Sequence, residues 1–599
     1  LVNKLQDRIA TGECGVIIDK VYELPLIANP YAGQLGVVER GEGIKTVDVV
    51  NNFLEGGQWQ VLGRSATTWH HDKTNTIQTS PFNNIGEFIP KKFPVNVTVT
   101  KDSDPLVLAT SKFKGEASYL DEDLFDECMD DALSYANDCL LENRRILSVE
   151  EATFGCGHLG VKSLNLNAGP GYLYRTKNES GLKGKNCWFN LDRQFIRNDM
   201  RRACDVRWDE LANNELTDNF YTGELKVELR PLNKAPRWYN GCEIRDLIAQ
   251  KRLFGAFEGY SSTHWLYSGQ TIGLDVHTQF GLLFDHLRTF GNNWFDGDFT
   301  SYDGTLQATM IMGVLRAIIR WYNKGNVSED DKRRRYTMAV SIAFAKIWVR
   351  NMIIAQEKGN PSGNYLTGRI NSLLFQGGIR YIFKLIMIKM RVPALLPEFT
   401  STSQLTILDN MCKDIDMSCL QGLKLDFAEF NKNVGSYANG DDNVGNVSDV
   451  YFPFLNMQIL AEGFKLFNMI YTDPLKGNDI PKRKDWDQVV YLKRVFKDGK
   501  KFGALDIDTI YQMLMWFKRG PTSRRAQVEI LQGALWEAYY HGKDIYDKFV
   551  QDILYVSRTK NLIIPNLPSY AQQDIKFRLS PEDNVALVFL KKEAERDII

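Results

Sequence analysis

Tyr437-Ala438-Asn439-Gly440-Asp441-Asp442-Asn443-Val444 decides how this chain is read. The pattern around Gly440 predicts a β-hairpin over Tyr437 to Val444 with an Asp-Asp pair at its tip. Taken alone, Gly-Asp-Asp is an ordinary turn. Upstream, Asn292 to Asp298 reads as a short buried strand ending on a carboxylate, and Asp303 lies five residues beyond it. Asp298 and Asp441 are far apart in sequence, so only a shared sheet can bring them together. Carboxylates from adjacent strands suit phosphoryl transfer, in which two metal ions roughly 3.5–4 Å apart bind both reacting oxygens. Magnesium prefers such oxygen ligands. Asp298, Asp441 and Asp442 are therefore the candidate metal ligands, with Asp442 tuning the second ion.

Between these carboxylates lies Gly359-Asn360-Pro361-Ser362-Gly363, which opens a long helix predicted over Asn364 to Arg391. Leu366, Ile370, Leu374 and Ile379 contribute to its apolar side. Thr367 and Asn371 are four apart and share a face. With Ser362 they are placed to join Asp303 and a ribose in one hydrogen-bond network. An acidic group at position 303 suits a 2′-OH, the handle that separates RNA from DNA. For Ser362 the alternative is plain helix capping. Cations for a triphosphate come from Lys226 and Arg230, then Lys234, Arg237 and Lys251-Arg252. Alternation around Val227 and Leu229 predicts a strand with Lys226, Glu228 and Arg230 on one side. Arginine forks suit phosphate oxygens, although a charged edge strand looks the same in sequence.

The 599 residues are enough for several subdomains. Net charge is -1, so the total points to no partner; its distribution says more. Glu116 to Glu151 holds twelve acidic and two basic residues, whereas Lys482 to Arg525 holds twelve basic and five acidic. The second stretch suits a phosphate backbone. Nine scattered cysteines include no Cys-x-x-Cys pair, and Cys156-Gly157-His158 lacks a second half, so neither a zinc site nor a disulfide framework is expected. No apolar run reaches the roughly eighteen residues of a membrane span, and a chain beginning at Leu1 reads as trimmed or proteolytically released. Helices are predicted within 262–288, 306–323, 332–350 and 121–142, a strand near Val95 to Thr100, and mainly helix from Gly499 onward. Lys332 to Arg335 reads as a solvated helix turn, and Pro393 to Asn433 as a long insertion. Strands interleaved with helices indicate an α+β fold with more than one subdomain.

In this order the motifs resemble those of the RNA-dependent RNA polymerases of picorna-like positive-strand RNA viruses. Asp298-Phe299-Thr300-Ser301-Tyr302-Asp303 is similar to that family's first palm motif. Pro361-Ser362-Gly363 with Thr367 and Asn371 matches the second, and Gly440-Asp441-Asp442 the third. Lys73 to Pro81 and Thr98 to Leu108 look like early fingers segments. Lys226 to Arg230 and Arg252-Leu253-Phe254 look like the two ends of the segment over the triphosphate. The resemblance implies that Gly169, Pro170 and Gly171 guide the template, that Lys476 is the general acid toward pyrophosphate, and that Lys493 and Arg494 form the primer grip. Asn439 stands where the family often has Tyr.

A right-hand polymerase is implied. Residues 1–60 form an N-terminal extension, 61–261 and 305–361 the fingers, 262–304 and 362–497 the palm with an insertion near 393–432, and 498–599 the thumb. Implied with it are two Mg²⁺ or Mn²⁺ ions, template and product RNA, NTPs, a genome-linked protein primer and other viral replication proteins. Replication would take place in host cytoplasm at membranes reached through those partners. The rival readings are a reverse transcriptase and a non-catalytic RNA-binding scaffold. Asp303 and Asn371 disfavour the first, and clustered carboxylates, which a scaffold has no need of, disfavour the second.

Overall fold

A computed structural model describes residues 59–578 except 65–76, 84, 96, 98–103, 114–115, 172–173, 175–183, 217–219, 326, 351, 416–425, 475–478, 498, 500–501 and 519–522. Residues 1–58, Lys73 to Thr76 of the segment Lys73 to Pro81, most of Val95 to Thr100, and Lys476 lie outside that set.

The strand Asn293–Phe299 organises the centre. It lies within an antiparallel sheet ordered Val434–Asn439, Asp442–Val447, Asn293–Phe299, Tyr471–Thr472. Its residues alternate between two covered faces. Phe295 and Phe299 join the main core. There the Phe299 ring packs on Phe375 of the helix Thr367–Arg391 and on Phe464 and Tyr471. Full burial of such a ring is worth roughly 1.5–3 kcal/mol. Gly297 is a packing necessity, because a Cβ would fall 2.0 Å from the Tyr471 ring. On the other face Trp294 stacks with Phe284 and meets Phe496. The long helix begins at Thr367, three residues later than the pattern suggests, because the Asn364 side-chain oxygen accepts from the Leu366 amide in the preceding turn.

A second sheet, of five strands, is ordered Trp59–Arg64, Met352–Gln356, Lys346–Val349, Tyr221–Leu225, Trp238–Gly241. Its apolar side gathers Phe113, Tyr221, Leu225, Trp238, Ile347 and Ile354. Here the expected helix to Arg350 is corrected: helix Glu329–Ala343 stops, and Lys346–Val349 pairs on both edges. Ile347, Trp348 and Val349 suit a strand, and Arg350, at φ 50, turns the chain back. The predicted helix over 262–288 is two pieces, Trp265–Ser268 and Phe280–Arg288, separated by a loop with Gly273 at φ 112. Nor is Lys332 to Arg335 simply solvated, since Arg335 is buried on the Tyr322 ring.

The insertion is helical where described, with Leu396–Phe399, Thr402–Cys412 and Phe427–Asn433. Phe430 packs on Phe383, so this layer covers the back of the long helix. Acidic residues of helix Glu122–Ala132 meet cations of neighbouring helices: Asp126 with Arg316 and Arg320, Asp131 with Arg380. The C-terminal helices Ile507–Leu514, Ser523–Ala538 and Lys543–Thr559 share their own core, which Phe82 and Ile85 enter. Ile77–Thr79 also pairs with Trp516–Lys518, so this N-terminal segment packs with the C-terminal helices.

Candidate active site

The hairpin tip is a two-residue turn, Gly440-Asp441, between the paired residues Asn439 and Asp442. Gly440 has φ 71; open space surrounds the position where a Cβ would stand, so glycine is needed for backbone conformation alone. Its amide donates to Ser372 Oγ at 2.9 Å, which fixes the tip to the long helix. Asn443 Nδ2 donates to the carbonyls of Asp441 (3.1 Å) and Gly297 (3.0 Å), and Tyr471 OH donates to Asn443 Oδ1 (2.9 Å). The pairing of Asn443 with Gly297 carries Asp442 alongside Asp298 one step further on. Asp298 itself pairs with Thr472 across the other edge.

These carboxylates feel one another. Asp442 is held up to about 6, first by burial, then by the charges of Asp441 and Asp298, against the pull of Lys493. Asp441 is open to solvent at its tip yet ringed by protein. Its pKa is raised by burial and then by Asp303 and Asp298, with Arg237 opposing. Crowded anions with hard oxygen donors fit a divalent cation. The three are not drawn into one tight cage. Among the described residues, the only trio of possible ligands whose atoms all lie within 4.8 Å is Glu151, Cys156 and His158.

Asp303 follows Ser301, which has φ 58, on the short helix Tyr302–Thr305. Asn371 Nδ2 donates to Asp303 Oδ1 at 2.9 Å. Asn360 Nδ2 donates to Asn371 Oδ1, and Asn364 Nδ2 to Asn360 Oδ1, both at 2.7 Å. Asn360 and Asn364 were not singled out from sequence; each is a lone polar residue beside a turn. Ser362 and Thr367 serve the loop instead. Ser362 Oγ accepts from the Asn240 amide at 3.0 Å, while Thr367 Oγ1 donates to the Pro361 and Asn364 carbonyls at 2.9 Å. No described hydrogen bond joins either to Asp303. Gly363 allows the loop against the second sheet, since a Cβ would meet Asn240 O at 2.1 Å.

Of the predicted cations, Arg237 has a charge that reaches both Asp303 and Asp441, as does that of Lys112. Glu228 holds it, with Arg237 Nε donating at 2.5 Å, and Lys226 Nζ lies 3.7 Å from the same carboxylate. The predicted strand over Lys226 to Arg230 reduces to Leu229–Arg230, paired with Phe93–Pro94. Arg230 Nη1 donates to Ala235 O at 2.5 Å. Lys112 joins this group unannounced by any motif. Burial pushes its pKa down, Asp303 opposes, and Arg237 and Arg230 add to the lowering. Arg252 lies in the helix Ile244–Thr263. Its guanidinium stacks on Trp208 and donates to Leu147 O. Lys251 is buried, donating to Lys162 O.

The profile of the family described as viral RNA-dependent RNA polymerase matches residues 157–556. The chain belongs to the viral RNA-dependent RNA polymerases. It is 25% identical over 424 residues to the replicase polyprotein of Acute bee paralysis virus, covering 68% of this chain and 21% of that protein. It is also 25% identical over 539 residues to that of Cricket paralysis virus, covering 84% and 28%. The chain thus spans only about a fifth to a quarter of these polyproteins. The Sicinivirus 3Dpol RNA-dependent RNA polymerase has the same fold, with a TM-score of 0.67 at 17% identity over 85% of this chain and 96% of that one. The chain thus has the right-hand α+β polymerase fold, in a family of RNA-directed RNA polymerases that uses divalent metal ions and binds RNA and NTPs.

In this polymerase the predicted RNA-facing residues divide. Gly169 is exposed, and Pro170 and Gly171 lie against the start of helix Ile244–Thr263. Ile244 N donates to Pro170 O, and Gly171 has φ 83 with Cys242 O 2.4 Å from where its Cβ would be. Lys185 Nζ donates to Gly169 O and Ala168 O at 3.0 and 3.2 Å from beneath. Leu492 and Lys493, at φ 53 and 60, make the turn between Val490–Tyr491 and Arg494–Val495. Two non-glycine residues in the left-handed region are strained, and this turn leaves Lys493 exposed. Arg494 is buried in a two-pronged pair with Glu537 at 2.6 and 2.8 Å, joining the turn to helix Ser523–Ala538. Beneath Asp298, Lys484 Nζ lies 2.6 Å from Asp296 and 2.8 Å from Asp473, all three buried. The Asp296 contact is an ion pair by distance whose angle falls short of a hydrogen bond.

Proposed function

We propose that this chain copies an RNA template from NTPs, with Asp298, Asp441 and Asp442 holding two Mg²⁺ or Mn²⁺ ions. The observation that carries this reading is the sheet register that sets Asp442 beside Asp298 at a tip where burial and neighbouring charge raise the carboxylates. When bound, such ions neutralise charge on the attacking and leaving oxygens of an in-line displacement. The residues of the chain do the rest. Asp303, oriented by Asn371, accepts from the ribose hydroxyls of the incoming nucleotide. Arg237, with Lys226, Arg230 and Lys112, balances the triphosphate. Lys476 donates a proton to the departing pyrophosphate. The loop at Gly169, Pro170 and Gly171 guides the template, and Lys493 contacts the backbone of the growing strand.

The Asp303–Asn371 pair favours ribonucleotides over the substrates of a reverse transcriptase. Relatives that are polyproteins support further viral replication proteins as partners, and we include a genome-linked protein primer among them. Among the described residues no helix is long and apolar enough to cross a membrane. Contact with host cytoplasmic membranes is accordingly assigned to those partners. Extension of a short RNA primer–template by wild type and Asp441→Ala, with rNTPs or dNTPs and Mg²⁺ or Mn²⁺, tests the reading. Metal-dependent rNTP addition that the variant loses at least about 100-fold supports it. Equal extension by both removes the metal role of Asp441, and dNTP addition at the rNTP rate removes the ribose reading.

A further inference from the structure

We propose that Glu151, Cys156 and His158 form a second metal site, in the fingers, for a divalent ion of the zinc class. Sequence shows only Cys156-Gly157-His158; the fold supplies the third donor. Glu151 lies in the first turn of helix Val149–Phe154, where a capping box with Ser148 turns its carboxylate back toward the helix start. Gly155, at φ 94, then reverses the chain. Cys156 and Val161 exchange backbone hydrogen bonds of 2.8 and 3.0 Å, so the loop that presents His158 is closed and braced.

The spacing is that of a coordination polyhedron. Cys156 Sγ is 3.4 Å from Glu151 Oε1 and 3.4 Å from His158 Nδ1, and all three donors fit within 4.8 Å. A tetrahedral zinc ion, with bonds of about 2.3 Å to sulfur and about 2.0–2.1 Å to nitrogen or oxygen, sets such edges near 3.5 Å. Thiolate, imidazole and carboxylate together select zinc-like ions over magnesium. Arg145 pairs with both Glu151 oxygens at 2.6 and 2.8 Å and its Nη2 lies 3.5 Å from His158 Nε2, so the guanidinium is the group that an incoming ion displaces from the donors. His158 is exposed and lines a cleft of about 740 Å³ with Asp138, Tyr260 and His264, which offers the ion an entry path and leaves a fourth position to water. On binding, a metal–sulfur bond forms and the thiol proton leaves to solvent.

The full chain, stripped with chelator and dialysed, is titrated with Co²⁺ alone while the near-ultraviolet is scanned for thiolate-to-cobalt charge transfer. The expected result is a band saturating at one equivalent and abolished by Zn²⁺. It is absent in Cys156→Ser and weakened at least about tenfold in affinity in His158→Ala. Asp441→Ala keeps the band, since oxygen ligands give no thiolate transition, so this outcome is independent of the catalytic reading. No band in folded wild type, or a band undiminished in Cys156→Ser or in His158→Ala, overturns the site. Because His158 is exposed, that variant carries the test should Cys156→Ser fail to fold.

Discussion

Asn371 donates from Nδ2 to Asp303 Oδ1 across 2.9 Å, and its own oxygen is held by Asn360. This amide therefore aims a carboxylate carried on a separate segment of chain. Asn371→Leu frees Asp303 to turn and leaves the buried Asn360 Nδ2 with only Thr367 O, 3.3 Å away. Ribonucleotide preference over the 2′-deoxy analogue should fall by about tenfold or more. The measurement is the ratio of kcat/KM for one rNTP and its dNTP, and an unchanged ratio would take Asn371 out of sugar selection.

The Asp442 carboxyl at about 6 gives a pH signature. Its folded value is raised, so its charge penalises the cation-free fold above about pH 6, a penalty relieved as pH falls through that value. Proton and divalent cation compete for the same oxygens. The Mg²⁺ concentration that half-saturates nucleotide addition should rise as pH is lowered from about 7.5 to about 5.5. Titrations at fixed NTP check this; half-saturation indifferent to pH would mean that no such proton stands in the way.

Lys484 is the shared counter-ion of Asp296 and Asp473. Lys484→Met leaves two buried carboxylates without it, a loss of about 3–5 kcal/mol in denaturant unfolding. Because Asp296 is two residues from Asp298 on the same strand, nucleotide addition should slow as well. A stability change under about 1 kcal/mol would place this pair with weak surface contacts.

Neighbouring Lys493 and Arg494 should behave differently. Lys493→Ala should weaken RNA binding and reduce the salt slope by about 0.7–0.9. Arg494→Met should leave that slope unchanged while costing about 3–5 kcal/mol of stability, because Glu537 stays buried with only His277 Nε2, 3.8 Å away, beside it. Binding isotherms over a salt series, alongside unfolding curves, separate the two, and exchanged phenotypes would reverse the assignment.

Periodicity carried most of the secondary structure and failed where pairing partners were remote. Lys346–Val349 looks helical until Met352–Gln356 and Tyr221–Leu225 are set beside it. Arg252 was read over the triphosphate and Arg494 in the primer grip because charge is visible in sequence, while the Trp208 ring under one and the Glu537 carboxylate against the other are not. Lys112 was missed for the opposite reason, since nothing local distinguishes it from any surface lysine.

Sequence alone determined the chemical identity of the centre: a glycine able to hold φ 71 in a tight turn, carboxylates on either side of a strand-and-helix unit, and an asparagine one helical turn after Thr367. Those are properties of residue type and short spacing, which local sterics and period impose. Only the tertiary structure decided which cations reach the carboxylates, which are locked in ion pairs, and that Glu151 stands 3.4 Å from Cys156. Charge and coordination depend on distance in space and on burial, and both arise when segments far apart in the chain share one core.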